Sequence, residues 1–187
     1  MLFRSTGDIA FRIVEAVGLE AAQARPVTVC DINAEMLSVG RDRALDRGLV
    51  SELAWACGNA ETLPFPDMSF DAYTIAFGLR NVTDIPKAIA EARRVVRPGG
   101  RFLCLEFSRV AVPPLERLYD AYSFTVLPWL GRMVAGNPDA YRYLAESIRR
   151  FPDQKSLAKL MRAQGFAQVS FRNLSGGIAA LHVGWRV

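Results

Sequence analysis

Residues 27–33 read Val-Thr-Val-Cys-Asp-Ile-Asn (VTVCDIN), and the fold turns on how that run is read. A short, nearly continuous apolar stretch that stops at an acid has the pattern of a strand buried on both faces, and such strands belong to parallel sheets covered by helices. Asp31 stands immediately beyond the strand, where a carboxylate can accept hydrogen bonds from two ribose hydroxyls. An Asp at that point is also a common helix starter. The pattern leaves both readings open.

Outward from this run, the chain alternates. Asn33 can cap a helix over AEMLSVGRDRALDRG that stops at Gly48. Upstream, Ile9, Phe11 or Ile13, Val14 and Val17 recur at helical spacing behind Thr6-Gly7-Asp8, so a loop turns into a helix over residues 8–18, closed by Gly18. Downstream, a short strand near Leu53 to Ala56 is followed by GNAETLPFPD, a loop enforced by two prolines. SFDAYTIAF (69–77) is a buried strand, and a helix from near Pro86 runs through KAIAEARRVV to RPGG. RFLCLEFS (101–108) is the clearest strand, with Glu106 its only internal charge. A last helix spans about Lys155 to Gln164, and QVSFRNL with IAALHVGWRV reads as an antiparallel pair at the sheet edge, joined by a Gly176-Gly177 turn. Apolar strands separated by helices predict an α/β domain with a mainly parallel sheet.

Bulk properties bound the function. A chain of 187 residues, 51% hydrophobic, makes one domain over 1–187 the expectation. The net charge of +4, from 23 basic and 19 acidic side chains, is dispersed and does not call for nucleic acid as a partner. Cys30, Cys57 and Cys104 lack the spacing of a metal site and read as reduced, buried small hydrophobes; no metal is expected. No apolar run approaches the roughly 20 residues that span a bilayer, and MLFRS is too short for a signal peptide. Residues 115–150 break the alternation: helical, rich in arginine, carrying Tyr119, Tyr122, Phe124, Trp129, Tyr141 and Tyr143, and interrupted by Pro128 and by GNPD at 136–139. A segment this long between two sheet strands could cover a site.

Single residues stand out at the strand ends. Asn59, with the backbone around Ala60, could address an adenine edge, although Asn after Gly is also a plain turn former. Arg80, Asn81 and Asp84 follow the strand ending in Ala76 and Phe77, in the region where open α/β sheets bind ligands; a solvent-exposed Arg-Asp pair is the alternative. A buried Glu106 needs a partner or a ligand. His182, the only histidine, reads as a packed edge-strand residue, with a role as base the alternative. Neither a Ser-His-Asp or Cys-His arrangement nor a GxxxxGK[ST] loop is present, so covalent hydrolysis and simple phosphoryl transfer have no support. A nucleoside-bearing group donor fits better, the protein aligning donor and acceptor and excluding water.

At AFGLRNVTD the chain becomes recognisable. TGDIAFR, VTVCDINAEML, GNAETLPFPDMSFD, TIAFGLRNVTD, RVVRPGGRFLCLEFS, LYDAYSF, YRYLAESIRRFPDQ and NLSGGIAALHVGW together resemble the ubiquinone/menaquinone biosynthesis C-methyltransferases, from about Thr6 to Val187. The resemblance implies a class I (Rossmann-like) methyltransferase sheet with helices on both faces and S-adenosyl-L-methionine as cofactor. It places Thr6 at the cofactor loop, Asp31 at the ribose, Asn59 and Ala60 at the adenosine, and Ala76 where the family often has a serine that contacts the cofactor. It makes 115–150 a helical insertion over a quinol ring and its isoprenoid tail, with Tyr119, Asp120, Tyr122, Tyr143 and Arg149. The implied reaction moves a methyl group to a ring carbon of a polyprenyl quinol. Arg80 is then the expected group at the ring oxygen, directly or through a water, with Asp120 and Tyr143 as polar neighbours. The implied setting is cytoplasmic, without nucleic acid, with peripheral contact at the inner face of the membrane and association with other quinone-biosynthesis enzymes.

The departure from the family pattern is at the start. MLFRS stands where the family has a strand and a glycine loop, so the sheet is expected to lack its first, central strand and the first half of the glycine-rich loop, leaving facing backbone edges unpaired. Two functions follow: a quinol C-methyltransferase, or a truncated, inactive remnant that binds lipid quinols or proteins. Affinity for the cofactor separates them.

Overall fold

The computed structural model describes residues 2–3, 7–109 and 138–187. Seven strands form one sheet: β1 (Leu2–Phe3), β2 (Val27–Asp31), β3 (Leu53–Cys57), β4 (Phe70–Ala76), β5 (Val96–Phe107), β6 (Ala167–Leu174) and β7 (Ala179–Trp185). Their order is β3-β2-β1-β4-β5-β7-β6. The first five run parallel, and β7 enters antiparallel between β5 and β6. The strand order reverses between β1 and β4, the place where doubly wound sheets open a crevice at their carboxyl ends.

The centre of the sheet corrects the expectation from the sequence. Leu2 pairs with Val29 on one side and Thr74 on the other, and Phe3 with Cys30 and Ile75, so the central position holds a two-residue strand. The reason is local: two apolar residues between two parallel strands satisfy backbone groups on both, and need no length of their own to do so. Towards the amino ends of β2 and β4, a groove of about 590 Å³ is lined by Ile13, Val17, Ala21, Val27, Thr28 and Phe70, among others.

Six described helices flank the sheet: α1 (Asp8–Val17), α2 (Leu19–Ala24), α3 (Ala34–Asp46), α4 (Ile85–Val95), α5 (Pro138–Arg150) and α6 (Gln154–Ala163). Val29 packs with Ala10, Phe11, Val14, Ala22, Leu37 and Ala44, whereas its neighbour Cys30 packs with Tyr73, Ile75, Ile89, Phe102, Leu157 and Met161. Successive strand residues face opposite sides, so α1–α3 cover one face and α4 with α6 the other. Asn33 caps α3 as expected, accepting from the Glu35 and Met36 amides, and Asp84 caps α4 through the Lys87 amide with Pro86 in the first turn.

Three further departures have physical causes. Gly18 does not end the first helical region; at φ 87° and ψ 150° it closes α1 and opens α2 in one step. The RPGG run ends α4 but also leads β5, which pairs Val96 with Phe70 before an irregularity near Ala72. Cys30 and Cys104 are buried as expected, but Cys57, at the carboxyl end of β3, is exposed. Burial pushes the Cys30 thiol up to about 12. No helix among the described residues is long and apolar enough to cross a membrane.

Candidate active site

A cleft of about 420 Å³ opens at the carboxyl ends of β2, β3 and β4. One side carries Asp31, Ile32, Asn33, Met36, Asn59 and Glu61, the other Gly78, Asn81, Val82, Thr83 and Tyr143. Local structure holds each side in place. Asn59 Oδ1 accepts from the Glu61 amide at 2.9 Å, and Glu61 Oε1 accepts across the cleft from the Thr83 and Asp84 amides at 2.6 and 3.2 Å.

Asp31 decides what the cleft can hold. The residue is 4% exposed; Oδ1 accepts from the Asn33 amide at 2.9 Å, and buried Oδ2 has no partner among the described residues. A buried carboxylate oxygen left unpaired is costly, so the position calls for a donor from a ligand. One oxygen of Asp31 thus orders the turn into α3, while the other is left without a described partner at a residue that lines the cleft.

The other expected residues divide. Asn59 forms the turn and also lines the cleft. Ala60 turns its methyl into the larger core, and Ala76, also buried, ends β4 opposite Leu105. Tyr143 lines the cleft and donates its hydroxyl to Asn81 Oδ1 at 3.2 Å, fastening α5 to the loop after β4. Thr6, Tyr119, Asp120 and Tyr122 lie outside the described residues, as does the 115–137 part of the expected insertion.

Arg80 is buried against Glu106 of β5. Its side chain is 5% exposed, and Nη1 donates to both Glu106 carboxylate oxygens, at 3.1 and 3.3 Å, and to the Phe77 carbonyl. The guanidinium also lies 5.1 Å from the Phe107 ring centroid. It is engaged beneath the cleft, whose lining does not include Arg80. Glu106 finds the partner its burial demands: besides Nη1 it accepts from the Arg80 and Phe107 amides at 3.1 and 3.0 Å. Burial raises its carboxyl above the usual range, against the pull of Arg80. His182 is remote in role: Nε2 contacts the Gln154 carbonyl at 2.9 Å, its ring packs on Phe171, and burial lowers its pKa. Ile32, Met36 and Glu61 line the cleft without having been singled out from the sequence, although Glu61, two residues beyond a turn-forming Asn, had the right placement.

Residues 2–186 match the ubiE/COQ5 methyltransferase family. The chain belongs to that family. The ubiquinone/menaquinone biosynthesis C-methyltransferase UbiE of Brucella abortus (strain S19) is 57% identical over 182 residues, covering 97% of this chain and 66% of that protein. The corresponding protein of Brucella anthropi is 56% identical, with 97% and 68% covered. The chain thus spans just under two thirds of the length of the first of these family members. Among solved structures, a SAM-dependent methyltransferase from Aquifex aeolicus superposes with a TM-score of 0.69 at 14% identity, covering 100% of this chain and 81% of that one. The [4+2]-cyclase SpnF superposes with a TM-score of 0.68 at 18% identity, with 99% and 73% covered. At such low identity the likeness speaks for the fold, and the fold of this family member is that of the class I, Rossmann-like methyltransferases.

Proposed function

We propose that this family member binds S-adenosyl-L-methionine in the cleft beside Asp31 and carries a methyl group to a ring carbon of a polyprenylated benzoquinol or demethylmenaquinol. The observation that carries the reading is the buried Oδ2 of Asp31, which has no partner among the described residues, at the carboxyl end of β2. A ribose hydroxyl donated to that oxygen would satisfy it, and Ile32 and Met36 beside it offer apolar surface to a flat base. The names of the family members that match this chain supply the acceptor class.

Bound there, S-adenosylmethionine supplies an electrophilic methyl group on a sulfonium sulfur. The residues of this chain contribute binding and alignment. Asp31 holds the nucleoside end, the 78–83 loop forms the opposite wall, and Tyr143 on α5 closes one side while staying tied to Asn81. The ring carbon becomes nucleophilic as its neighbouring hydroxyl loses a proton, so a polar group near that oxygen lowers the barrier. Tyr143 and Asp120 are the candidates for that place. Arg80 is the group expected there from the sequence; its Nη1 is held by Glu106, while its buried Nε has no partner among the described residues. The lipid character of such a substrate makes peripheral membrane contact part of the same reading.

Titration calorimetry with S-adenosylhomocysteine tests it. The chain binds specifically, and Asp31→Ala weakens binding by about 10- to 100-fold, the worth of roughly 1.5–3 kcal/mol for hydrogen bonds to a charged group. A folded chain with no affinity would favour the alternative, a quinol- or protein-binding remnant. Transfer of labelled methyl from S-adenosylmethionine to a short-chain demethylmenaquinol in detergent then tests the acceptor.

A further inference from the structure

The loop that leaves β4 is held in an unfavourable shape. Phe77, at φ 52°, occupies the left-handed region that bulky residues avoid. Three bonds over-determine it. Its amide donates to the Leu105 carbonyl at 2.8 Å, its carbonyl accepts from Arg80 Nη1, and the Arg80 amide is held by Glu106 Oε1 at 3.1 Å. Phe77 also packs at a tilt against Phe107, with ring centroids 4.7 Å apart. Glu106 lies at the convergence of these contacts, 1% exposed in β5.

Stability alone is a poor reason for that arrangement. A buried ion pair recovers little beyond its desolvation cost, and an apolar pair of similar volume often serves the fold as well or better. What the pair supplies is a fixed position. The residues it fastens, 77–80, include Gly78 and lead directly into Asn81, Val82 and Thr83, which with it form the second wall of the cleft.

We propose that Glu106 is a positioning residue for the cofactor pocket: through the Arg80 amide and guanidinium it sets the curvature of the 77–83 loop, without touching the ligand. This rests on the reading of the cleft as a cofactor site. The device works from beneath the pocket, so its loss changes how well the wall is preformed and leaves Asp31 on the opposite wall intact.

The test removes both charges together, as Glu106→Leu/Arg80→Met, so that neither ion is left buried alone. Two measurements are made on the full chain: amide hydrogen exchange across Gly78–Thr83, and the affinity for S-adenosylhomocysteine. The double variant is expected to melt within a few degrees of the parent, to exchange faster than the parent in the loop by about tenfold or more, and to bind the ligand about tenfold more weakly. Parent-like loop protection together with unaltered affinity would overturn the proposal, since a purely structural pair would be replaced without consequence. If the parent binds no ligand, the functional reading fails, while loop exchange still decides the role of Glu106. Should the double variant not fold, Glu106→Gln decides by the same exchange measurement: its single carbonyl oxygen replaces the two that accept from the Arg80 and Phe107 amides, the charge is lost, and loop protection equal to the parent's would overturn the proposal.

Discussion

At the scale of single residues, the division of labour between the two oxygens of Asp31 explains why its sequence context supported two readings. The acid after an apolar run was legible because strand burial imposes a run that is nearly continuous; which oxygen would be left over depends on the Asn33 amide and on nothing periodic. His182 lends itself to a pH test. Burial holds its pKa below the usual 6.5, so the unfolded chain takes up a proton that the folded chain refuses. The contribution to stability is therefore complete above 6.5, falls as pH drops from there towards the lowered folded value, and levels off below it. Melting temperature followed from about pH 8 to about pH 5.5 should decline over the acid half of that range, and His182→Gln should flatten the decline. An equal slope in the variant would show that other groups cause it. The pairing of Arg80 was not legible for a different reason. Its partner, Glu106, is 26 residues away, and no local pattern connects them.

At the scale of elements, caps and strand cores were readable because their chemistry is local. Asn33 and Asp84 lie just ahead of their helices, and the helices begin where those side chains can accept. The helix after Gly18 was missed because glycine stops one helix and starts the next with the same backbone freedom. Gly7 is the sharper case. As the left-handed cap of α1, at φ 91°, it sits where a Cβ would come within 2.5 Å of the Phe11 ring, and Phe11 is fully buried. Gly7→Ala must therefore strain the backbone and displace a core aromatic. A loss of about 2–3 kcal/mol in chemical denaturation is expected, the sum of left-handed strain and overpacking. A change within about 0.5 kcal/mol, the range of a neutral surface substitution, would contradict the close approach. On α5, Tyr143→Phe removes the bond to Asn81, the one its hydroxyl makes among the described residues. Exchange at α5 amides should quicken by a few-fold, in keeping with about 0.5–1 kcal/mol for an exposed neutral hydrogen bond, with no change in α6.

At the scale of the whole molecule, the alternation of strands and helices was enough to predict a doubly wound sheet, and the two opposed cores follow from it. The two-residue centre was not legible, because Leu2 and Phe3 are too few to show any period. In the sheet itself, β3-β2 and β4-β5-β7-β6 are joined through those two residues. Phe3→Pro would remove a central ladder donor. Amide exchange is expected to rise in β2 and β3 while β5 and β7 keep their protection; uniform change across the sheet would show that the join lies elsewhere.

The candidate cleft straddles this line. Asp31, Met36 and Asn59 stand on one side of it, and Gly78, Asn81 and Thr83 on the other, bridged by Glu61. A molecule seated there is a clasp as well as a reactant: by touching both banks it adds its binding energy to the cohesion of the two half-sheets. Occupancy should therefore raise cooperativity together with melting temperature, and most of all in a chain whose central strand has been weakened.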